Sequence, residues 1–274
     1  MTENVPVIES AILYAGLLNA FAGFVSVLIP MRWLRIPTRR RGAAVFAVGV
    51  LSAFIGLVLP APERRVANVA THLDESVPKW QFREHHETRV AATPDRVFEA
   101  IRAVRADEIL LFRLLTWIRR GGQDLPENIL NAGTERPLLD VATSGGFVYL
   151  ADDPPRELVI GTVVVAPPGT RGKLTPEVFK HSLPPGFALA GMNFLVIPDG
   201  KGGSIVTTET RVYANSASAR RRFAAYWRVI YPGSALIRRM WLRAIARRAS
   251  RRVDESSSRR DPMRLCDYES MGLL

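Results

Sequence analysis

The sequence predicts an α+β domain behind an N-terminal two-helix transmembrane hairpin. Three observations carry this. Two apolar stretches without a single charge lie before residue 61. After them the chain reads as strand, two helices, antiparallel strands and a long final helix. That final helix is amphipathic and strongly basic. The expected organisation is a hairpin over 1–60 with spans at 11–30 and 43–60, a linker over 61–80, a domain over 81–252, and a disordered Ser-rich tail over 253–274.

The chain has 274 residues, enough for one ordinary domain and an appendage. Hydrophobic residues make up 47% and charged residues 23%, which fits if the apolar residues are concentrated. They are: Ala11 to Pro30 and Ala43 to Pro60 carry no charge. A span needs roughly 17–25 apolar residues to cross the hydrocarbon layer, and both runs reach that range. A cleaved signal peptide fits the first run poorly. The segment before it holds Glu3 and Glu9 and no Lys or Arg, and Leu28-Ile29-Pro30-Met31 makes a poor cleavage site. Gly16, Ala20 and Gly23 recur at helical spacing in the first run, as do Gly49, Ala53 and Gly56 in the second. Small residues on one stripe let two helix backbones approach in lipid.

The connection between the runs carries Arg32, Arg35, Arg39, Arg40 and Arg41 and no acid. Short basic loops stay in the cytoplasm, which puts the soluble domain outside. Arg64, Arg65, Lys79 and Arg83, soon after the second run, count for the opposite orientation, a cytoplasmic domain. The single cysteine, Cys266, excludes an internal disulfide and leaves the compartment open.

Pro62 and Pro78 mark the linker. Gln81 to Val90 partly alternates and reads as a strand. Thr93 is an N-cap for a helix opening with Pro94 and Asp95, and Val97, Phe98, Ile101 and Val104 form its apolar stripe. A second helix is expected from Asp107 to Arg120, too apolar for a surface position and so covered on most sides. Gly121 and Gly122 end it. Strands follow at Gly146 to Asp152, Arg156 to Val165, Phe187 to Ile197 and Ser204 to Tyr213. The last two are joined by Asp199 to Gly203, a hairpin signal. Phe223, Tyr226, Trp227 and Ile230 share a helix face. Pro232-Gly233 is expected to break that helix before a second one with Ile237, Met240, Trp241, Ala244 and Ile245 on one face.

The segment Val90-Ala-Ala-Thr-Pro-Asp-Arg-Val-Phe-Glu-Ala-Ile101, the strand Thr207-Thr-Glu-Thr-Arg-Val212 and the long final helix resemble the START-like superfamily. This group is also known as SRPBCC, polyketide cyclase/dehydrase-like or birch-pollen-allergen-like. The resemblance covers roughly Gln81 to Arg252 and lies in topology more than in motif. It implies a helix-grip fold, in which a curved antiparallel sheet wraps the final helix around an apolar cavity. It also implies that the chain binds a hydrophobic small molecule or lipid, as most members do, or acts as a cyclase/dehydrase-like enzyme, as a minority do. The family sheet has six or seven strands, whereas five are clear here.

Chemistry-bearing residues are sparse. His85 and His86 are adjacent on a strand and point to opposite faces, and His72 and His181 have no ligand spacing with them, so no metal is expected. No cofactor fingerprint, phosphate loop or Ser/His/Asp order stands out. His86 and Glu209 are weak catalytic candidates, an acid–base couple if the first and last strands are neighbours; a structural pair or two solvent-facing residues is the bland alternative. Expected ligand contacts are Phe112, Leu115, Phe187, Leu189, Met192, Phe194 and Trp241. From Ala219 to Arg260 thirteen arginines face only Asp254 and Glu255, so this segment carries a charge equal to the whole chain's +11. Arg239, Arg243 and Arg247 share one face, either a patch for anionic lipid headgroups or an ordinary solvated face. A membrane anchor argues against nucleic acid. The expected function is membrane-anchored binding or transfer of a hydrophobic molecule. An enzyme and a non-catalytic assembly protein remain as alternatives, and the oligomeric state is open.

Overall fold

The computed structural model describes residues 7–170, 174–180 and 183–258. Two helices come first, α1 (Val7–Leu28) and α2 (Arg39–Val58), joined by a 3₁₀ turn at Arg32–Leu34. Thr38 caps α2, its hydroxyl accepting from the Arg41 amide. Ser10–Leu28 and Arg39–Val58 are long and apolar enough to cross a membrane. The expected small-residue stripe is where the helices meet. A Cβ on Gly16 would lie 2.4 Å from the Ala53 amide nitrogen, and one on Gly49 2.2 Å from that of Ala20. Leu18, Phe21, Leu51 and Phe54 point away from this seam and are exposed.

The stretch expected as a linker is folded. β1 (Arg64–Arg65) pairs with β2 (Lys79–Trp80), and between them lies α3 (His72–Ser76). Thr71 and Asp74 form a capping box at the start of α3. Leu73 and Val77 are buried against the sheet, over Gly191.

The sheet has five antiparallel strands. In chain order these are β3 (Phe82–Val90), β4 (Val148–Asp153), β5 (Glu157–Val165), β6 (Ala188–Pro198) and β7 (Ser204–Ala214), and the spatial order is β3-β7-β6-β5-β4. First and last strands are neighbours, the condition set for a couple between His86 and Glu209. Between β3 and β4 come α4 (Pro94–Ala103), α5 (Phe112–Arg119) and α6 (Leu138–Ser144); between β5 and β6 comes α7 (Pro176–Lys180). The final helix, α8, runs unbroken from Ala217 to Ser258. It lies on the inner face of the sheet with α4 beside it. Phe98, Ile101, Leu158, Phe194, Trp241 and Ile245 are fully buried between them. The fold class is therefore α+β, with one long C-terminal helix on an antiparallel sheet and two apolar N-terminal helices.

Three local expectations are corrected. The helix expected from Asp107 to Arg120 is split into a 3₁₀ turn at Ala106–Glu108 and α5. Between them Leu111 takes φ 61, the left-handed region, which turns Ile109 and Phe112 into the core together. Its apolar residues are not covered on most sides: Leu110, Leu114, Trp117 and Ile118 are at least half exposed. Pro232 does not end the last helix. A proline removes the N–H that would bond the carbonyl four residues back, here that of Arg228. The Tyr14 hydroxyl of α1 donates to that carbonyl instead. Of the expected disordered tail, the backbone of 253–258 continues α8, and 259–274 lie outside the described residues.

Candidate functional site

Between the inner face of the sheet, α8 and α5 lies a cavity of about 390 Å³. Its wall is mostly apolar. Val163 and Val165 come from β5, Ala190 and Met192 from β6, Phe112 from α5, and Trp227 and Trp241 from α8. The volume is within the range of small-molecule sites, roughly 300–1,000 Å³. Among the described residues, the buried indole N–H groups of Trp227 and Trp241 find no acceptor.

The cavity's polar groups are specific. Arg119, Arg222 and Arg238 line it, and neither Asp nor Glu does among the described residues. Arg119 and Arg222 are exposed and lie at the rim. Arg119 lies over the Tyr226 ring and donates to its hydroxyl. Arg238 sits deeper, its guanidinium 5.5 Å from the centre of the Trp241 ring and in contact with the Met192 sulfur. Burial pushes the Arg238 pKa down to about 10, and Glu84 opposes that shift. The group stays cationic at neutral pH.

Glu84 stands behind this wall on the inner face of β3. Its two oxygens are taken: His86 Nε2 lies 2.9 Å from Oε1, and the Ser234 hydroxyl donates to Oε2 at 2.9 Å. The order is serine, carboxylate, histidine. A histidine that activates a serine must stand between the other two, so this trio lacks the geometry of an activated nucleophile.

The expected catalytic couple does not form. Glu209 faces His85 across β3 and β7, while His86 faces Thr208. Directly paired residues share a face, so His86 points inward and Glu209 outward. On the outer face Glu209 accepts from Arg83 at 2.7 Å and from Arg211 at 2.6 Å, and Arg211 also pairs with Asp74 at 2.8 Å. Burial alone would raise the Glu209 pKa; Arg83 and Arg211 more than offset it and hold the carboxyl below its usual value. This network clips the 61–80 segment to the sheet.

Of the expected ligand contacts, the cavity brings together Phe112, Met192 and Trp241. Phe194 is fully buried behind it, edge-on to Trp241, and Leu115 is half-buried at the margin of the core. Phe187 and Leu189 lie elsewhere, beside Val77 and Tyr213 in a depression of about 270 Å³ on the sheet's other face. Arg239, Arg243 and Arg247 are exposed, and Arg247 donates to the Glu108 carbonyl. At 1.5 Å per residue Arg247 stands roughly 28 Å along α8 from Arg228, where that helix meets the hairpin. His181 lies outside the described residues. Glu84 and Arg238 are not among the residues expected from the sequence. Arg238 was legible, because it precedes Trp241 by three positions and so shares its face.

No family model and no curated protein matches the chain. Among solved structures it is similar to CalU16 from Micromonospora echinospora, at 14% identity and a TM-score of 0.22, over 63% of this chain and 86% of that one. It is also similar to TTHA0849 from Thermus thermophilus, at 12% identity and a TM-score of 0.25, over 62% of this chain and 98% of that one. Both neighbours are of the polyketide cyclase/dehydrase-like fold type. Likeness this low decides nothing about this chain; its architecture rests on its own strand order and helix placement.

Proposed function

We propose that the chain is a membrane-anchored helix-grip protein of the START-like kind that binds or transfers a hydrophobic small molecule or lipid in the cavity between its sheet and its last helix. The observation that carries this reading is the cavity itself, an apolar volume left open beside a core that is otherwise closed around Phe194 and Trp241. Burial of ligand apolar surface there drives binding, at roughly 25 cal/mol per Å² before the costs of association.

The hairpin supports the membrane part of the reading. Its outward side chains are apolar and exposed, a surface that lipid covers at no cost. Arg228 of α8 donates to the carbonyls of Leu57 and Leu59 at the end of α2, so the domain sits against the hairpin's open end. Tyr226, two residues before it, meets Arg119 at the end of α5. The exposed apolar side of α5, with Leu114, Trp117 and Ile118, therefore belongs to the part of the domain nearest the hairpin, and the cavity rim lies there too. A ligand held in the bilayer has a short route in. The basic connection between the spans favours an extracytoplasmic domain, and Arg64, Arg65, Lys79 and Arg83 count toward a cytoplasmic one. Cysteines placed at Arg40 and Lys201, in a Cys266→Ser background, are expected to label from opposite sides; labelling from one side refutes two spans.

Native mass spectrometry of the full chain tests the binding reading. An apolar molecule is expected to remain bound at one per chain. A folded chain that carries none and takes up none refutes it.

A further inference from the structure

Three facts about the cavity go beyond its being apolar. Among the described residues, all of its charged lining residues are arginines. The deepest of them, Arg238, has no carboxylate within ion-pairing distance among the described residues; it touches a thioether and an aromatic face. The acid whose charge acts on it, Glu84, is already held by His86 and Ser234. Arg238 is half-buried, and a charge drawn out of water without an ion partner is costly, so an anion entering the cavity would relieve that cost. The planar guanidinium fork matches a carboxylate or a phosphate, two acceptors side by side.

We propose that the cavity selects an apolar molecule bearing one acidic group, a carboxylate or a phosphate monoester, with that group on Arg238 and its chain along Val163, Val165 and Ala190. This rests on the binding reading above and adds the ligand's chemical class. The exposed Arg119 and Arg222 meet the anion first at the rim, and Arg238 receives it inside. The cavity's size limits the chain. At about 390 Å³ it lies near the lower end of small-molecule sites, roughly 300–1,000 Å³, which favours one short acyl chain over two.

The test uses the full chain in phosphatidylcholine nanodiscs and three probes sharing a twelve-carbon chain with a terminal photoreactive diazirine: the carboxylic acid, the phosphate monoester and the neutral alcohol. Labelling of peptides from β5 and from Trp227 to Trp241 is read by mass spectrometry. A charge-assisted bond to Arg238 predicts at least about tenfold more labelling by an acidic probe than by the alcohol. Which of the two acids leads tells a carboxylate ligand from a phosphate one. Arg238→Met is expected to bring acid and alcohol within about twofold by removing the bond, while Arg238→Lys keeps a preference because it keeps the charge. Equal labelling by acid and alcohol in the unaltered chain overturns the acidic class and leaves the binding reading standing. That comparison needs no variant, so it holds even if Arg238→Met fails to fold. Preference retained in a folded Arg238→Met also overturns the assignment. No labelling of cavity peptides by any probe sinks both readings.

Discussion

The hydroxyl of Tyr14, in the first apolar helix, donates to the backbone carbonyl of Arg228, in the last helix. That carbonyl is the one Pro232 leaves without its helical N–H. The bond thus explains two things at once: why a proline sits within an unbroken 42-residue helix, and what ties the hairpin to the domain. Tyr14→Phe is expected to cost about 1 kcal/mol, because a buried carbonyl loses its donor. In a Pro232→Ala background the helix supplies its own N–H, and the same change is expected to cost much less. A double-mutant cycle by thermal unfolding in nanodiscs measures the coupling. Equal costs in both backgrounds would show that the tyrosine does not serve the proline.

The hairpin seam depends on glycine for close approach. Any Cβ at Gly49 meets the α1 backbone at Ala20, and backbone cannot swing aside as a side chain can. Gly49→Leu is expected to lower the unfolding free energy by about 1–3 kcal/mol or to splay the helices. Ala47→Leu, on the exposed side of α2, should leave the unfolding temperature within a degree or so of the unaltered chain, since exposed substitutions usually stay within about 0.5 kcal/mol. Similar losses in both variants would contradict the seam.

Glu209 stabilises the outer face and has no part in binding on this account. Glu209→Gln should cost about 1–3 kcal/mol at neutral pH by weakening its bonds to Arg83 and Arg211, with ligand retention unchanged. The pH dependence follows from the direction of its shift. A carboxyl whose folded pKa is depressed contributes stability above its unfolded value, near 4.5, and loses it as the pH falls toward the folded one. The stability gap between the native chain and Glu209→Gln should therefore narrow on acidification below that value. A gap that stays constant from pH 7 to the acid transition would show that the network is not what holds this charge.

Much of this architecture could be read along the chain. The five strands begin and end within about two residues of their expected limits, because alternation and turn residues mark them locally. The start of α4 at Thr93-Pro94 was equally local, although the Thr93 side chain makes no capping hydrogen bond. What failed needed partners far away in sequence. Pro232 reads as a break until Tyr14 is seen beside it. His86 and Glu209 read as a couple until the register sets Glu209 opposite His85. Two misses were avoidable. Phe187 and Leu189 have the opposite parity to Met192 and Phe194, so one strand could not offer all four to one cavity. Thr71 and Asp74, with Leu73 and Val77 at helical spacing, mark a short capped helix where a linker was expected.

The cavity between β5, β6 and α8 is the proposed binding site. Ala190 faces that cavity from the inner side of β6. Ala190→Phe would fill it with an aromatic ring, and its stability cost should be small because the ring enters open space. The most direct measurement compares the two proteins by native mass spectrometry after identical purification from membranes. An apolar adduct at one per chain is expected on the unaltered protein, and a bare mass on a folded Ala190→Phe. An adduct that persists on the filled variant would place the ligand outside the cavity and contradict the account.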